Sequence, residues 1–254
     1  MIFKNIDNGN AFDFGKTSSE YAKYRDIYPK ELYERLYSLG VGHKNERWLD
    51  LGTGTGVLPL NMYKYGADII GVDISSEQIY AAKQLTDEKG AKNVSFLACS
   101  AEKTPFEDSS FNCITAAQCF WYFDKEKIIS EIKRLIKPNG VFVKIYMSYT
   151  LDDELAKRSH MLVKKMNRNW TPGASGSRDM YNHPFDNGKL DIFECQIPFT
   201  RESWHGRMCA CRGTRASMDE KTLAKWDNKH RKMLLDYPEE FTVNHKIYIA
   251  SYKF

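Results

Sequence analysis

Five short apolar runs govern the first part of the chain: RWLDLG from residue 47, ADIIGVDIS from 67, NVSFLAC from 93, FNCITAAQ from 111 and GVFVKIYM from 140. Runs of this length and apolarity read as strands buried on both faces. The stretches between them carry helical spacing and helical punctuation. GVLPLNMYKYG stops at Gly66, SSEQIYAAKQLTDEKG opens on serine and closes on Gly90, and DKEKIISEIKRLIKPNG ends in a turn. Strands alternating with helices in this way predict a parallel sheet covered on both faces, joined by right-handed crossovers.

The flanking segments are less regular. Residues 18–39 read as one or two helices broken near Pro29, with Ser18 a candidate N-cap. Residues 151–169 are helical with a basic face, and 171–189, rich in Gly, Pro, Ser and Asn, read as a long polar loop of the kind used for lids and binding elements. DIFECQIPF is a sixth strand, RESWHGRMCACRGTRAS a helix or turn region, DEKTLAKWDNKHRKMLLDY a helix, and FTVNHKIYIASYKF a final strand with Val243, Ile247 and Ile249 alternating. A chain of 254 residues, 42% hydrophobic, buries enough surface to need no staples.

A net charge of +4 without a concentrated basic stripe argues against nucleic acid as a partner. Six cysteines form no C-x-x-C pair, the leading MIFKNIDNGNAFDF has no apolar core, and no window reaches the ~18–20 apolar residues of a membrane span. A reduced, cytoplasmic setting with no membrane contact is expected.

The first strand runs into Asp50-Leu51-Gly52-Thr53-Gly54-Thr55-Gly56. Such a loop fits a cofactor, but it also fits a bare strand-to-helix turn. A dinucleotide fingerprint places its third glycine where this chain has Val57. Asp73 ends the second strand, where an acid can accept both hydroxyls of a ribose, a feature common to several nucleoside cofactors.

The G-x-G-x-G pattern behind an acid resembles the first motif of class I S-adenosylmethionine-dependent methyltransferases. Asp73, the CSAEKTPF element after the third strand and KPNGVF before the fifth extend that resemblance over residues 44–148. It implies a doubly wound, Rossmann-like α/β fold with a seven-stranded sheet, mostly parallel with one antiparallel strand, under a helical cap. It implies one methyltransferase domain over 1–254: a helical cap over 1–43, a cofactor-binding core over 44–148, a cap or lid over 149–190, and the rest of the sheet with inserted helices over 191–254. The cofactor implied is S-adenosylmethionine, held by Asp50, Gly52, Thr53, Gly54, Asp73, Ile74, Gln78, Ser100, Ala101, Glu102, Gln118 and Cys119. Many relatives carry aspartate where this chain has Ser100.

The segment FDFGKTSSEYAKYRDIYP resembles the leading segment of a small-molecule branch that includes trans-aconitate methyltransferases, with Asp26 replacing a proline. By position, Tyr21 and Arg25 would bind the cofactor carboxylate, with Phe14 closing over the site. Arginine suits the task because its planar fork matches a carboxylate. No Asn/Asp-Pro-Pro-aromatic tetrapeptide of base-amine methylation occurs. The acceptor is therefore expected to be a small molecule, with Trp121, Tyr122, Trp170, Arg178, Tyr181, Trp204 and Arg207 as its candidate contacts. A carboxylate acceptor needs no base; for a phenol, thiol or amine, His205 is the candidate general base. On a helix His205 and Cys209 share a face. Cys209, Cys211 and one histidine lack a fourth ligand at recognisable spacing, so no metal is expected. The assembly expected is a monomer or homodimer. A nicotinamide-dependent oxidoreductase and a noncatalytic S-adenosylmethionine-binding module are the alternatives.

Overall fold

The alternation of strands and helices read from the chain is present in a computed structural model, which describes residues 6–17, 23–24, 27–172 and 174–254. The elements begin with α1 (Lys30–Ser38), β1 (Arg47–Leu51), α2 (Val57–Met62), β2 (Asp68–Asp73), α3 (Ser76–Lys89), β3 (Val94–Ala98), β4 (Phe111–Ala117) and α4 (Lys125–Leu135). They continue with β5 (Ile136–Tyr149), α5 (Glu154–Met166), α6 (Ala174–Met180), β6 (Lys189–Thr200), α7 (Arg201–Cys209), α8 (Glu220–Leu234) and β7 (Glu240–Lys253).

The seven strands form one sheet in the order β3-β2-β1-β4-β5-β7-β6. β1 pairs in parallel with β2 and β4, β2 with β3, and β4 with β5. β7 runs the other way: Asn139 N–H donates to the Phe254 carbonyl, whereas Thr150 N–H donates to that of Asn244. The expected doubly wound sheet with one antiparallel strand is therefore the observed one.

By its contacts the chain divides into two units. The first comprises Tyr28–Tyr146, Ser175–Ile192 and Ile247–Phe254. Its core is built on β1, whose Trp48, Leu49 and Leu51 are fully buried because both faces of a central parallel strand are covered. α3 starts where the Ser75 side chain accepts from Gln78 N–H and ends on Gly90 in the left-handed region. α4 is capped by Asp124 and places Ile128, Ile132 and Leu135, one helical face, into the core. The second unit comprises Met1–Ile27, Met147–Ala174 and Phe193–Lys246. Trp170, Trp204 and Trp226 anchor its separate core with Leu155, Val163, Phe199 and Val243.

Three local expectations are refined. The helix expected to stop at Gly66 ends at Met62, and a 3-10 turn, Tyr63–Tyr65, carries the chain to Gly66 at φ +97°. The turn expected at KPNG lies inside β5, where Asn139 takes φ +65° opposite a register shift in β4. Within 171–189, read as a loop, α6 forms in spite of its poor helix formers. Gly176 lies against Tyr146, where a Cβ would sit 2.4 Å from the ring, so tertiary contact overrides propensity. Among the described residues no helix is long and apolar enough to cross a membrane, and none of the six cysteines forms a disulfide.

Candidate active site

The glycine loop leaves the carboxyl end of β1 and is held from below and from the side. The buried Asp50 carboxylate accepts from Thr53 Oγ1 at 2.7 Å and Thr115 Oγ1 at 2.5 Å, and Thr115 in turn accepts from the Trp48 indole at 2.8 Å. Every hydroxyl in this relay has a defined partner, which fixes the loop's entry. Burial pushes the Asp50 carboxyl up to about 6; the nearby Asp73 carboxylate adds to the rise, and the two threonine hydrogen bonds oppose it. The carboxyl binds its proton more readily folded than unfolded, so the linked stability is present near pH 4 and is lost as pH rises through about 6. Between pH 5 and 7.5 the wild type should therefore lose on the order of 1 kcal/mol relative to Asp50→Asn, read from urea midpoints. A pH-independent difference between the two proteins would exclude this linkage.

Asp73 supplies the lateral clamp. Its Oδ2 accepts from Gly54 N–H and its Oδ1 from Ser75 N–H, each at 2.9 Å. Burial raises this carboxyl against those backbone donors. Each oxygen keeps a lone pair free for a further donor, the requirement for gripping two adjacent hydroxyls. Beside it Ile74 is an apolar side chain 68% exposed, and Gln78 is buried in the first turn of α3.

Gly52 takes φ +61°, and a Cβ there would lie 2.8 Å from Cys119 Sγ. The third glycine has a packing role: a Cβ on Gly56 would sit 2.4 Å from the Phe96 ring, and one on Gly71 in β2 would sit 2.5 Å from the same ring. Past β4, Gln118 adopts φ +62°, and Cys119 Sγ donates to the Leu51 carbonyl at 3.1 Å. Burial, reinforced by the Asp50, Asp73 and Asp179 carboxylates, pushes the Cys119 thiol well above its ordinary value, so it is a packing group and not a nucleophile. After β3, Ser100 Oγ donates to Glu102 at 2.5 Å, Glu102 accepts from Asp124 N–H, and Ala101 is buried. Trp121 packs edge-on against Tyr146 and lies next to Tyr122.

This unit thus brings Asp50, Gly52, Thr53, Gly54, Asp73 and Cys119 into direct contact. Arg178 and Tyr181 are exposed in it, Tyr181 edge-on to Tyr248. Sequence reasoning missed Lys144 and Asp179, which support α6 from β5. Lys144 is fully buried and donates to the Asp179 carboxylate and to the Asp179 and Asn182 carbonyls. The available signal was one lysine inside the apolar run GVFVKIYM.

The other unit holds the remaining candidates. Phe14 lies in a 3-10 turn, edge-on to Phe12. Trp170 and Trp204 are core residues, Trp204 donating to Ser159 Oγ at 2.9 Å. His205 is buried, with Nε2 on Asp227 at 2.8 Å and Nδ1 on His230 at 2.8 Å. Arg207 is buried with its guanidinium 4.9 Å from the Tyr149 ring; among the described residues no carboxylate pairs with it. Tyr21 and Arg25 lie outside the described residues.

Comparison with known proteins bears directly on this site. A family model described as a methyltransferase domain matches residues 42–192. The uncharacterized methyltransferase YcgJ of Bacillus subtilis is 31% identical over 201 residues, 77% of this chain and 78% of its own length. The solved structure of YcgJ covers 86% of this chain and 99% of its own, with a TM-score of 0.52 at 23% identity. Phosphoethanolamine N-methyltransferase 2 of Haemonchus contortus, solved with phosphomonomethylethanolamine and S-adenosylhomocysteine, covers 92% of this chain and 57% of its own, with a TM-score of 0.53 at 18% identity, and so shares the fold. The matched region carries the clamped glycine loop and the acid at the end of β2, and the chain belongs to the class I S-adenosylmethionine-dependent methyltransferases.

Proposed function

We propose that this enzyme methylates a small molecule bearing a carboxylate or comparable anionic oxygen. The observation that carries the reading is Arg207, a buried guanidinium with no carboxylate partner among the described residues. A cation held this way is stabilised by the Tyr149 and Trp204 rings and favours an anionic ligand. His205 favours the same reading, because both of its ring nitrogens are engaged and a carboxylate acceptor needs no base. The Haemonchus N-methyltransferase, which shares the fold, binds a small molecule, phosphomonomethylethanolamine.

When bound, S-adenosylmethionine would supply an electrophilic methyl group for an acceptor lone pair. Asp73 would hold the ribose hydroxyls, the Gly52–Gly54 backbone would admit the methionine portion, and Ile74, Gln78, Ser100, Ala101 and Glu102 would line the adenine. Gln118 and Cys119 would border the methionine chain. Trp121, Tyr122, Arg178 and Tyr181 would contact the acceptor in the unit that carries the glycine loop. Catalysis rests on alignment and exclusion of water, worth several kcal/mol. The setting we propose is cytoplasmic, with a small-molecule partner rather than nucleic acid or a membrane, and a monomer or homodimer as the assembly.

Asp73→Ala should weaken S-adenosylmethionine binding about ten-fold or more, near 1.4 kcal/mol, by calorimetry; unchanged affinity would remove Asp73 from the cofactor site. For the acceptor, methyl-labelled cofactor is incubated with a metabolite extract and the product is identified by mass. A labelled methyl ester supports the reading. Label on an amine or thiol overturns it, and cofactor binding without any product favours a noncatalytic module.

A further inference from the structure

We propose that His205, Cys209 and Asp227 form a binding site for one divalent ion of the zinc class, independent of the methyl-transfer reading. The sequence separates these residues into HGRMC on α7 and a lone aspartate on α8, and only the fold joins them. His205 Nε2 faces Asp227 Oδ1 at 2.8 Å and Cys209 Sγ at 3.4 Å, and the three ligand atoms lie within 4.8 Å of one another. Zinc–nitrogen bonds of about 2.0–2.1 Å and zinc–sulfur bonds of about 2.3 Å place N and S roughly 3.5 Å apart in a tetrahedron. The imidazole and thiol already stand at that separation, so the adjustment falls on the Asp227 carboxylate, which must draw back about half an ångström from His205 while keeping within reach of an ion bound to Cys209.

The surroundings complete the site. The His205 ring is stacked on Trp226 at 5.2 Å, and its Nδ1 meets His230 Nδ1, while His230 Nε2 meets Ser159 Oγ at 3.0 Å. A metal-bound imidazole needs its second nitrogen held in this way, to set tautomer and orientation. Without metal, the acceptor-only Asp227 requires the proton on His205 Nε2, so His205 Nδ1 accepts from His230. With metal, Nε2 is bare, Nδ1–H donates to His230, and His230 Nε2–H donates to Ser159, so the same chain serves both states. Asp227 Oδ2 lies 3.3 Å from Arg231, which would steady the carboxylate while Oδ1 binds. Thiolate and carboxylate together neutralise a divalent charge, as a buried site requires. Asp227 is half-exposed and gives the ion its entrance, and three protein ligands leave a fourth position for water or an external donor. Cys211 is not a ligand, because its sulfur is held by Arg207 Nη1 at 2.9 Å.

Binding releases one proton, from the Cys209 thiol; His205 and His230 each keep one proton, shifted to the other ring nitrogen, and there is no redox change. The test uses the full chain, without cofactor, titrated with cobalt(II) as a spectroscopic probe and then with zinc. The expected result is one equivalent of cobalt, a thiolate-to-cobalt absorption band, intense tetrahedral bands in the visible, and displacement by zinc. Cys209→Ser should abolish the near-ultraviolet band, Asp227→Asn should weaken binding by about ten-fold or more, and Cys211→Ser should leave both intact. Absence of the band in the wild type, or its survival in Cys209→Ser, overturns the proposal. If Cys209→Ser does not fold, the half-exposed Asp227→Asn decides: undiminished cobalt affinity overturns the site.

Discussion

Lys144→Ala should destabilise the protein by about 3–5 kcal/mol, because it removes one partner of a buried ion pair and leaves the other charged. Lys144 is fully buried on β5 and Asp179 is 5% exposed. The ammonium spends its donors on the Asp179 carboxylate, the Asp179 carbonyl and the Asn182 carbonyl, so its loss strands three acceptors. Burial lowers the Lys144 pKa and the Asp179 carboxylate opposes that shift, which is the signature of a charge kept only by its partner. Lys125, at 2.5 Å from the same carboxylate, cannot replace it at the two carbonyls. Urea denaturation measures the loss, and limited proteolysis within 174–182 should accelerate in parallel. A loss below about 1 kcal/mol, with 174–182 still protected, would show that the pair is dispensable.

Gly52→Ala is expected to weaken S-adenosylmethionine binding on the order of a hundred-fold, about 2.7 kcal/mol, more than any single side-chain deletion at the site. Two penalties combine. Alanine at φ +61° costs roughly 1–2 kcal/mol in the left-handed region. Its Cβ also meets Cys119 Sγ at 2.8 Å and Cys119 Cβ at 2.9 Å, with the Phe123 ring at 3.3 Å, so the loop or the residues after β4 must move. Both flank the place assigned to the methionine portion. Cys119→Ala alone should be mild, and in the double variant it should recover part of the loss, because only the steric component is relieved. Calorimetry on the four proteins makes the cycle, and unchanged affinity in Gly52→Ala would remove the loop from the cofactor site.

Much of the fold is legible in the chain because its signals are local. β1 and β2 are short, apolar on both faces and ended by glycine or acid, and α3 and α4 carry side-chain caps at Ser75 and Asp124. What is not legible depends on partners distant in sequence. α6 opens on Ala, Ser, Gly and Ser, and it exists because Tyr146 and Lys144 on β5 receive it. Asp227 lies 22 residues from His205, and no spacing rule ties an acid in the middle of α8 to a histidine on α7. The glycine loop was identified by pattern, yet the reason for its third glycine required the position of Phe96.

That ring also limits how the chain can change. Phe96 faces both Gly56 and Gly71, so the three positions form one constraint although they stand on a loop, β2 and β3. A methyl group at position 71 becomes tolerable only after position 96 has given up its aromatic ring and Thr53 Oγ1, 2.7 Å from that methyl, has moved, which makes the order of substitutions matter. Position 56 gains no such freedom, since its φ of +77° still disfavours any side chain once the ring is gone. In a lineage of such proteins, residue 71 would change only together with residues 96 and 53, and residue 56 would stay glycine.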